Sequence, residues 1–304
     1  MRSIFGITYG PAKVGKTLAM CRAFPDGFFI SPTGGLTAAA WLGWEVKTTP
    51  PKFELTIDNI KEIILKAGKK YPAIIVDDFS LIVDAEVSRL KKLYASNPNK
   101  YAAWDRLNEM VYELRDVARE APCHVFFTMH EASPREVRKG TNVRYIKGCP
   151  LIPGWQLPEK LPAMADFVAR VVHDDEAIGW PNVYQTGPDA EYVTGDRLSI
   201  TPPRFPLNLR ELLLAAGYPL PRPAQLAWME DVVEKTACAL LPVVRAEGDV
   251  KPVLMAVVKK LQGKQDPKHI RWAMADAMDR AALRLKQDDL LTDFVAVMSG
   301  ELEL

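Results

Sequence analysis

Gly10-Pro-Ala-Lys-Val-Gly15-Lys16-Thr17 is the stretch on which the reading of this 304-residue chain turns. It matches G-x-x-x-x-G-K-[ST] at every fixed position. It follows the apolar run Ile4–Tyr9, a strand by its composition, and precedes Leu18-Ala-Met-Cys-Arg-Ala-Phe24, a helix halted by Pro25. Strand, glycine loop and helix in that order make a cradle for phosphate. The glycines let backbone N–H groups curl around an anion, and the helix aims the positive end of its dipole at the same charge. Gly10, Pro11, Ala12, Lys13, Val14, Gly15, Lys16, Thr17 and Leu18 are therefore expected to hold ATP with Mg²⁺. Lys16, expected on a surface loop, bridges the β- and γ-phosphates, and Thr17 gives its hydroxyl oxygen to the metal. The bland alternative, a chance glycine-rich turn, does not explain the flanking strand and helix.

Two further strands supply the rest of such a site. Ala73-Ile-Ile-Val-Asp77-Asp78 is an apolar run ending in two carboxylates, and Mg²⁺ needs an acid at a strand's C-terminal edge. Asp77 is the metal-side residue. Asp78 is either a catalytic carboxylate or part of a solvated loop. His124-Val-Phe-Phe-Thr-Met-His130-Glu131 delivers Thr128, His130 and Glu131 to the edge where ligands gather in open α/β sheets. His130 reads equally as a γ-phosphate sensor or as a structural histidine. After Glu131, the stretch to Gly148 carries five Lys/Arg against one acid. Arg135, Arg138, Lys139, Arg144 and Lys147 suit phosphates of a single-stranded polynucleotide, and Tyr145 suits stacking on a base. An ordinary solvated loop or hairpin is the alternative.

Around these motifs, β-rich runs alternate with helical ones from Ile4 to about Val193, the pattern of a mostly parallel sheet between helices. The expected strands are Ile4–Tyr9, Gly27–Ile30, Ala73–Val76, His124–Met129, Phe167–Val172 and Val183–Thr186. Trp104, Leu107, Val111, Leu114 and Ala118 recur at helical spacing. A helix Leu209–Ala216 has Asn208 in an N-cap position and Gly217 past its end. Tyr218-Pro-Leu-Pro-Arg-Pro-Ala224 then reads as a linker, dividing a nucleotide-binding domain, 1–219, from a small all-α domain, 220–304. Residues 225–304 hold 11 Lys/Arg and 13 Asp/Glu, so the tail is no basic arm. A net charge of +1 provides no global field toward nucleic acid. Cys21, Cys123, Cys149 and Cys238 lie far apart, read as buried thiols and argue against a zinc site. With neither a signal-peptide core nor an 18-residue apolar run, the chain is expected to be soluble, cytoplasmic and free of membrane contact.

Taken together, Gly10–Thr17, Ile74–Asp78, Phe126–His130, Gly148-Cys-Pro-Leu-Ile-Pro-Gly154, Ala165–Val172 and Asn208-Leu-Arg-Glu-Leu-Leu resemble the RecA-like P-loop ATPases of phages, of the recombinase or single-strand-annealing accessory type. The resemblance spans about residues 1–217. It implies a RecA-like core, a homo-oligomer, single-stranded DNA as partner and a Lys-x-Arg element reaching the ATP of a neighbouring subunit. Arg197 fits that element, with Gly195 where the family has lysine. The family also places a glutamate after its second strand to activate water, and Phe28-Phe-Ile-Ser-Pro-Thr-Gly-Gly-Leu36 holds no acid. Glu45, Asp78 or Glu131 is left to act as base. The expected catalytic set is therefore Lys16, Asp78, His130, Glu131 and Arg197. Two functions follow: a DNA-associated ATPase in recombination or replication, and a nucleotide-dependent assembly protein with slow or no hydrolysis. In either, the C-terminal helices can bind a protein partner.

Overall fold

The computed structural model describes residues 3–285 apart from 33, 42–45, 51, 140–141, 155, 174–181, 221–226, 266–269, 271–272 and 283–284. The chain begins β1 (Phe5–Gly10), α1 (Lys16–Ala23), β2 (Phe28–Ile30), α2 (Thr37–Trp41), β3 (Lys47–Thr48), α3 (Ile57–Ala67), β4 (Ala73–Val76), α4 (Phe79–Leu93) and α5 (Ala102–Glu120). It continues β5 (His124–Ala132), β6 (Arg135–Lys139), β7 (Asn142–Ile146), β8 (Cys149–Pro150), α6 (Leu157–Met164), β9 (Phe167–His173), β10 (Asn182–Gln185), β11 (Gly195–Asp196), β12 (Arg204–Pro206), α7 (Leu209–Ala215), α8 (Ala227–Arg245) and α9 (Lys251–Leu261).

The main sheet runs β12-β10-β9-β1-β5-β4-β2-β3. Its six strands from β9 to β3 are parallel, and β10 is antiparallel to β9. This is the expected α/β P-loop core with a mostly parallel sheet, followed by C-terminal helices. β5 lies between β1, which leads into the P-loop, and β4, which ends at Asp77. Gly10 therefore stands level with His130, and Val76 with Phe127.

Both faces of the sheet are buried, which is why the central strands read as continuous apolar runs. On one face Phe126, Phe167, Ala169, Val171 and Tyr184 pack with Ala19, Met20 and Ala23 of α1, Leu209 and Leu212 of α7, and Met229, Val233, Ala273 and Ala277 further on. On the other, Phe5, Ile7, Tyr9, Phe127 and Met129 pack with Ile60 and Ile64 of α3, Phe79 and Val83 of α4, and Leu107, Val111 and Leu114 of α5. The C-terminal helices thus join the apolar cluster of the P-loop helix.

A buried polar network fastens them there. Arg22, near the end of α1, pairs with Asp276 at 3.0 Å and Asp279 at 2.8 Å, both on the helical stretch 273–282. Asn208 Nδ2 donates to Asp276 at 3.3 Å, and Arg280 reaches Glu211 at 3.0 Å. Burial pushes Asp279 up to about 6, against the opposing pull of Arg22.

Several expectations need correction. Cys238 is exposed rather than buried, because α8 turns it outward beside Glu234. The helix after the P-loop begins at Lys16, not Leu18. β5 continues to Ala132, three residues past the expected end, because β8 pairs with its extension. The basic segment is an antiparallel hairpin, β6 to β7, with Arg138 opposite Val143 and Glu136 opposite Tyr145. Of the linker, 221–226 lies outside the described residues, as does Glu45. The expected Asn208 cap is present, its side chain accepting from the Glu211 N–H. Among the described residues no helix is long and apolar enough to cross a membrane.

Candidate nucleotide site

The phosphate cradle is built by close backbone approach. A Cβ on Gly10 would lie 2.6 Å from the Val171 carbonyl oxygen, so glycine alone lets β1 pass β9 into the loop. Gly15 has φ 89° and stands at the N-cap of α1, a conformation glycine adopts without strain. No side chain caps α1 there. Its first N–H groups are left for an anion, which satisfies donors and dipole together.

Lys16 is buried, not on a surface loop, because α1 starts at this residue and draws it under the loop. Its ammonium donates to the carbonyls of Gly10 at 3.0 Å and Pro11 at 2.7 Å. Burial lowers its proton affinity, and Asp78, Asp77 and Glu131 raise it in that order. The ammonium therefore sits in the field of three carboxylates and, with two of its N–H groups on carbonyls, keeps a donor free.

Asp77 is the hub of the metal side. One carboxylate oxygen accepts from Thr17 at 2.8 Å and from Thr128, and the other accepts from Ser31 at 3.3 Å. Burial pushes this carboxyl up, while the three hydroxyls and Lys16 pull it down. A buried carboxylate touching the P-loop threonine is the donor set that a hard divalent cation takes. The residues present fit Mg²⁺, with Thr17 and Asp77 as its protein-side anchors. Asp77→Asn is expected to weaken Mg²⁺-dependent ATP binding about tenfold or more while changing Mg²⁺-free binding little. Calorimetric titration with and without chelator checks this, and equal losses in both would remove Asp77 from the metal site.

Asp78 is not part of a solvated loop. It caps α4, accepting from the Ser80 N–H at 3.0 Å, and its other oxygen meets His130 Nε2 at 2.6 Å. Ser80 ties this pair to its surroundings, accepting from the His130 N–H at 3.0 Å and donating to the Leu151 carbonyl at 2.6 Å. Burial and the Asp77 charge push Asp78 up, and His130 opposes them. Glu131 is engaged elsewhere, accepting from Arg170 Nε at 2.6 Å and from its Nη2 at 3.3 Å.

The remaining predicted residues lie away from this centre. β11 pairs with the start of β9, Gly195 with Val168 and Asp196 with Phe167, so Arg197 follows at the sheet edge opposite the P-loop. There its guanidinium donates to the Ala163 carbonyl. Within its own chain, Arg197 lies at the far edge of the sheet from the P-loop. On the hairpin, Arg135, Arg138 and Tyr145 are exposed, whereas Lys147 is spent at its root on the Asp189 carbonyl at 2.7 Å.

Sequence reasoning missed Ser31, Ser80, Arg170 and Tyr192. Asp78-Phe-Ser80 carried the spacing of a capping turn, and Arg170 was the one charge in the run Phe167-Val-Ala-Arg-Val-Val172. Ser31 and Tyr192 gave no local signal, since their partners come from distant strands.

The pattern of a family described as "AAA domain" matches residues 3–198. No curated protein sequence matches the chain. Among solved structures, the RadB recombinase is 14% identical with a TM-score of 0.37, the match covering 60% of this chain and 80% of that one. A KaiC-like protein of the hyperthermophilic archaeon Pyrococcus horikoshii is 15% identical with a TM-score of 0.37, over 60% of this chain and 78% of that one.

Proposed function

The chain belongs to the AAA domain family of P-loop ATPases, and from that premise we propose that it is an oligomeric, DNA-associated ATPase that couples Mg²⁺-ATP to single-stranded DNA. The observation that carries the nucleotide half is the 2.8 Å contact between Thr17 and Asp77, which joins the P-loop to the metal-side strand. The DNA half is supported by the exposed basic hairpin beside the same sheet edge, with Tyr145 half exposed on it. Residues 1–219 are taken as the nucleotide-binding domain and 220–304 as the helical one.

In this reading Lys16 and the uncapped N-terminus of α1 bind the phosphates, and Thr17 and Asp77 hold Mg²⁺. When bound, the metal neutralises charge on the phosphate oxygens. Asp78 is the carboxylate best placed to take the proton of the attacking water. One of its oxygens meets His130, which can pass the proton on, whereas Glu131 is committed to Arg170. Arg197 acts from a neighbouring subunit, since it faces away from its own P-loop.

A second reading has one observation in its favour. Among the described residues, each carboxylate at this edge already has a partner: Asp77 three hydroxyls, Asp78 His130, and Glu131 Arg170. That arrangement suits a nucleotide-stabilised assembly with slow turnover.

Mixing separates the two. Lys16→Ala and Arg197→Ala subunits should each be inactive alone yet regain roughly a quarter of wild-type ATP turnover when combined in equal amounts, because some interfaces then pair an intact P-loop with an intact arginine. Full activity of the Arg197 variant by itself, or no recovery in oligomers shown to be mixed, rules out the trans arginine. Absence of turnover in the wild type itself favours the assembly reading.

A further inference from the structure

Glu131 and Arg170 meet across β1, the first on β5 and the second on β9 opposite Tyr9. Both are largely buried, at 9% and 17% side-chain exposure, so their ion pair is poorly screened. The same guanidinium lies 3.3 Å from the centre of the Tyr192 ring. One charge is thus shared between a carboxylate at the nucleotide edge and an aromatic face.

Tyr192 belongs to the connection 186–194, which holds the root of the basic hairpin. The Gly148 N–H donates to the Glu191 carbonyl at 2.7 Å, and the Val193 N–H to the Gly148 carbonyl at 2.8 Å. Lys147 adds its bond to the Asp189 carbonyl. Asp189 in turn fixes the connection, accepting from the Glu191 N–H at 2.7 Å and the Tyr192 N–H at 2.8 Å. Packing is tight at the junction, since a Cβ on Gly148 would come within 2.3 Å of the Tyr192 ring. The Tyr9 hydroxyl closes the frame by donating to the Val193 carbonyl at 2.7 Å.

We propose that Arg170 is a positioning residue that links the nucleotide site to the hairpin, by dividing its guanidinium between Glu131 and Tyr192. Gly10 at the start of the P-loop stands level with His130, the residue before Glu131, so phosphate charge entering the loop bears on the Glu131–Arg170 pair. A change in the Glu131–Arg170 pair alters the stack on Tyr192, and the ring carries the change to Gly148 and the hairpin. The proposal rests on the ATP reading of the P-loop. It deepens the DNA reading by naming the residues through which ATP adjusts the polynucleotide-binding element.

Hydrogen exchange of the full chain, with and without Mg²⁺-ATP, tests this without requiring DNA. In the wild type, ATP should protect the amides of 12–17 and change exchange at Gly148, Val193 and the hairpin by about fivefold or more. Tyr192→Leu, which removes the aromatic face, should keep the P-loop protection and lose the hairpin response. Tyr192→Phe, which keeps the face, should retain both. Arg170→Lys should behave as Tyr192→Leu, because an ammonium keeps the charge without the planar stack. A full hairpin response in Tyr192→Leu overturns the proposal, as does a silent hairpin in a wild type whose P-loop is protected. A P-loop left unprotected in the wild type overturns the ATP reading and the proposal with it. Failure to bind an oligonucleotide, with the exchange results intact, removes the DNA reading alone.

Discussion

Lys16→Ala is expected to weaken ATP binding by about 3–4 kcal/mol, several hundredfold, from the loss of the ammonium charge and of its charge-assisted hydrogen bonding at the phosphates. The fold should survive the change. Among the described residues the ammonium bonds only the Gly10 and Pro11 carbonyls of its own loop, so the substitution leaves no distant element without a partner. The stability cost should therefore be about 1 kcal/mol. Burial also works in the variant's favour, because a charge held partly out of water is removed. Calorimetry for ATP and urea unfolding for the fold check the two halves. An ATP affinity within about twofold of the wild type would contradict the P-loop assignment.

The largest expected loss of stability comes from Arg22→Ala, at about 3–5 kcal/mol, because the substitution leaves Asp279 buried without its cation and Asp276 with Arg280 alone, at 3.3 Å. The sign of its pH dependence follows from the acids. Asp279 is already raised to about 6 with Arg22 present, so without Arg22 it holds its proton to higher pH still. A protonated, neutral Asp279 is cheaper to bury than a charged one. The destabilisation should be largest above neutrality and shrink as pH falls toward 5, read as the urea midpoint difference from wild type. Because α1 carries Lys16 and Thr17, the variant should also bind ATP more weakly at temperatures near its unfolding. A loss under about 1 kcal/mol, constant with pH, would mean that the network is solvated.

Much of the core was legible because its strands are buried on both faces. Ala73–Val76 was read without error, Ile4–Tyr9 is β1 shifted by one residue, and Phe167–Val172 stops one residue short of the end of β9. Apolar composition and the glycine loop are local signals, and they survive without knowledge of the neighbours. What was lost depends on pairing over distance. Asp78 was weighed as a base or a loop residue, and its capping of α4 went unseen, so the helix Phe79–Leu93 went unread with it. Helix α3 carries the same lesson, since Thr56 caps it through the Asn59 N–H. The hairpin was ambiguous because Arg135–Lys139 holds one apolar residue in five and Asn142–Ile146 alternates only as far as Tyr145, too short a run to separate a strand from a solvated loop. Glu131 looked available as a base in the sequence. Its engagement by Arg170, 39 residues later, is a fact of β5 and β9 flanking β1.

The same limit applies to the C-terminal helices. Their net acidity argued against a basic arm, and it gave no sign that Asp276 and Asp279 are buried rather than solvated charges. They fall on the side of the helix that carries Ala273 and Ala277 into the core, where each acid requires a cation. The spacing of acids among alanines was visible, but the identity of the cation was not.

The decisive measurement is the binding of a labelled single-stranded oligonucleotide over a series of salt concentrations, in the presence of Mg²⁺-ATP. The wild type is compared with a variant in which Arg138, Lys139 and Arg144 are all replaced by alanine. Binding should weaken linearly in log–log form as salt rises, and the variant's slope should be shallower by about two, at roughly 0.7 for each phosphate that the variant no longer neutralises. ATP affinity should be the same in both proteins. Identical slopes in the two proteins, or no salt-dependent binding by the wild type, would contradict a DNA-associated function and leave the assembly reading in its place.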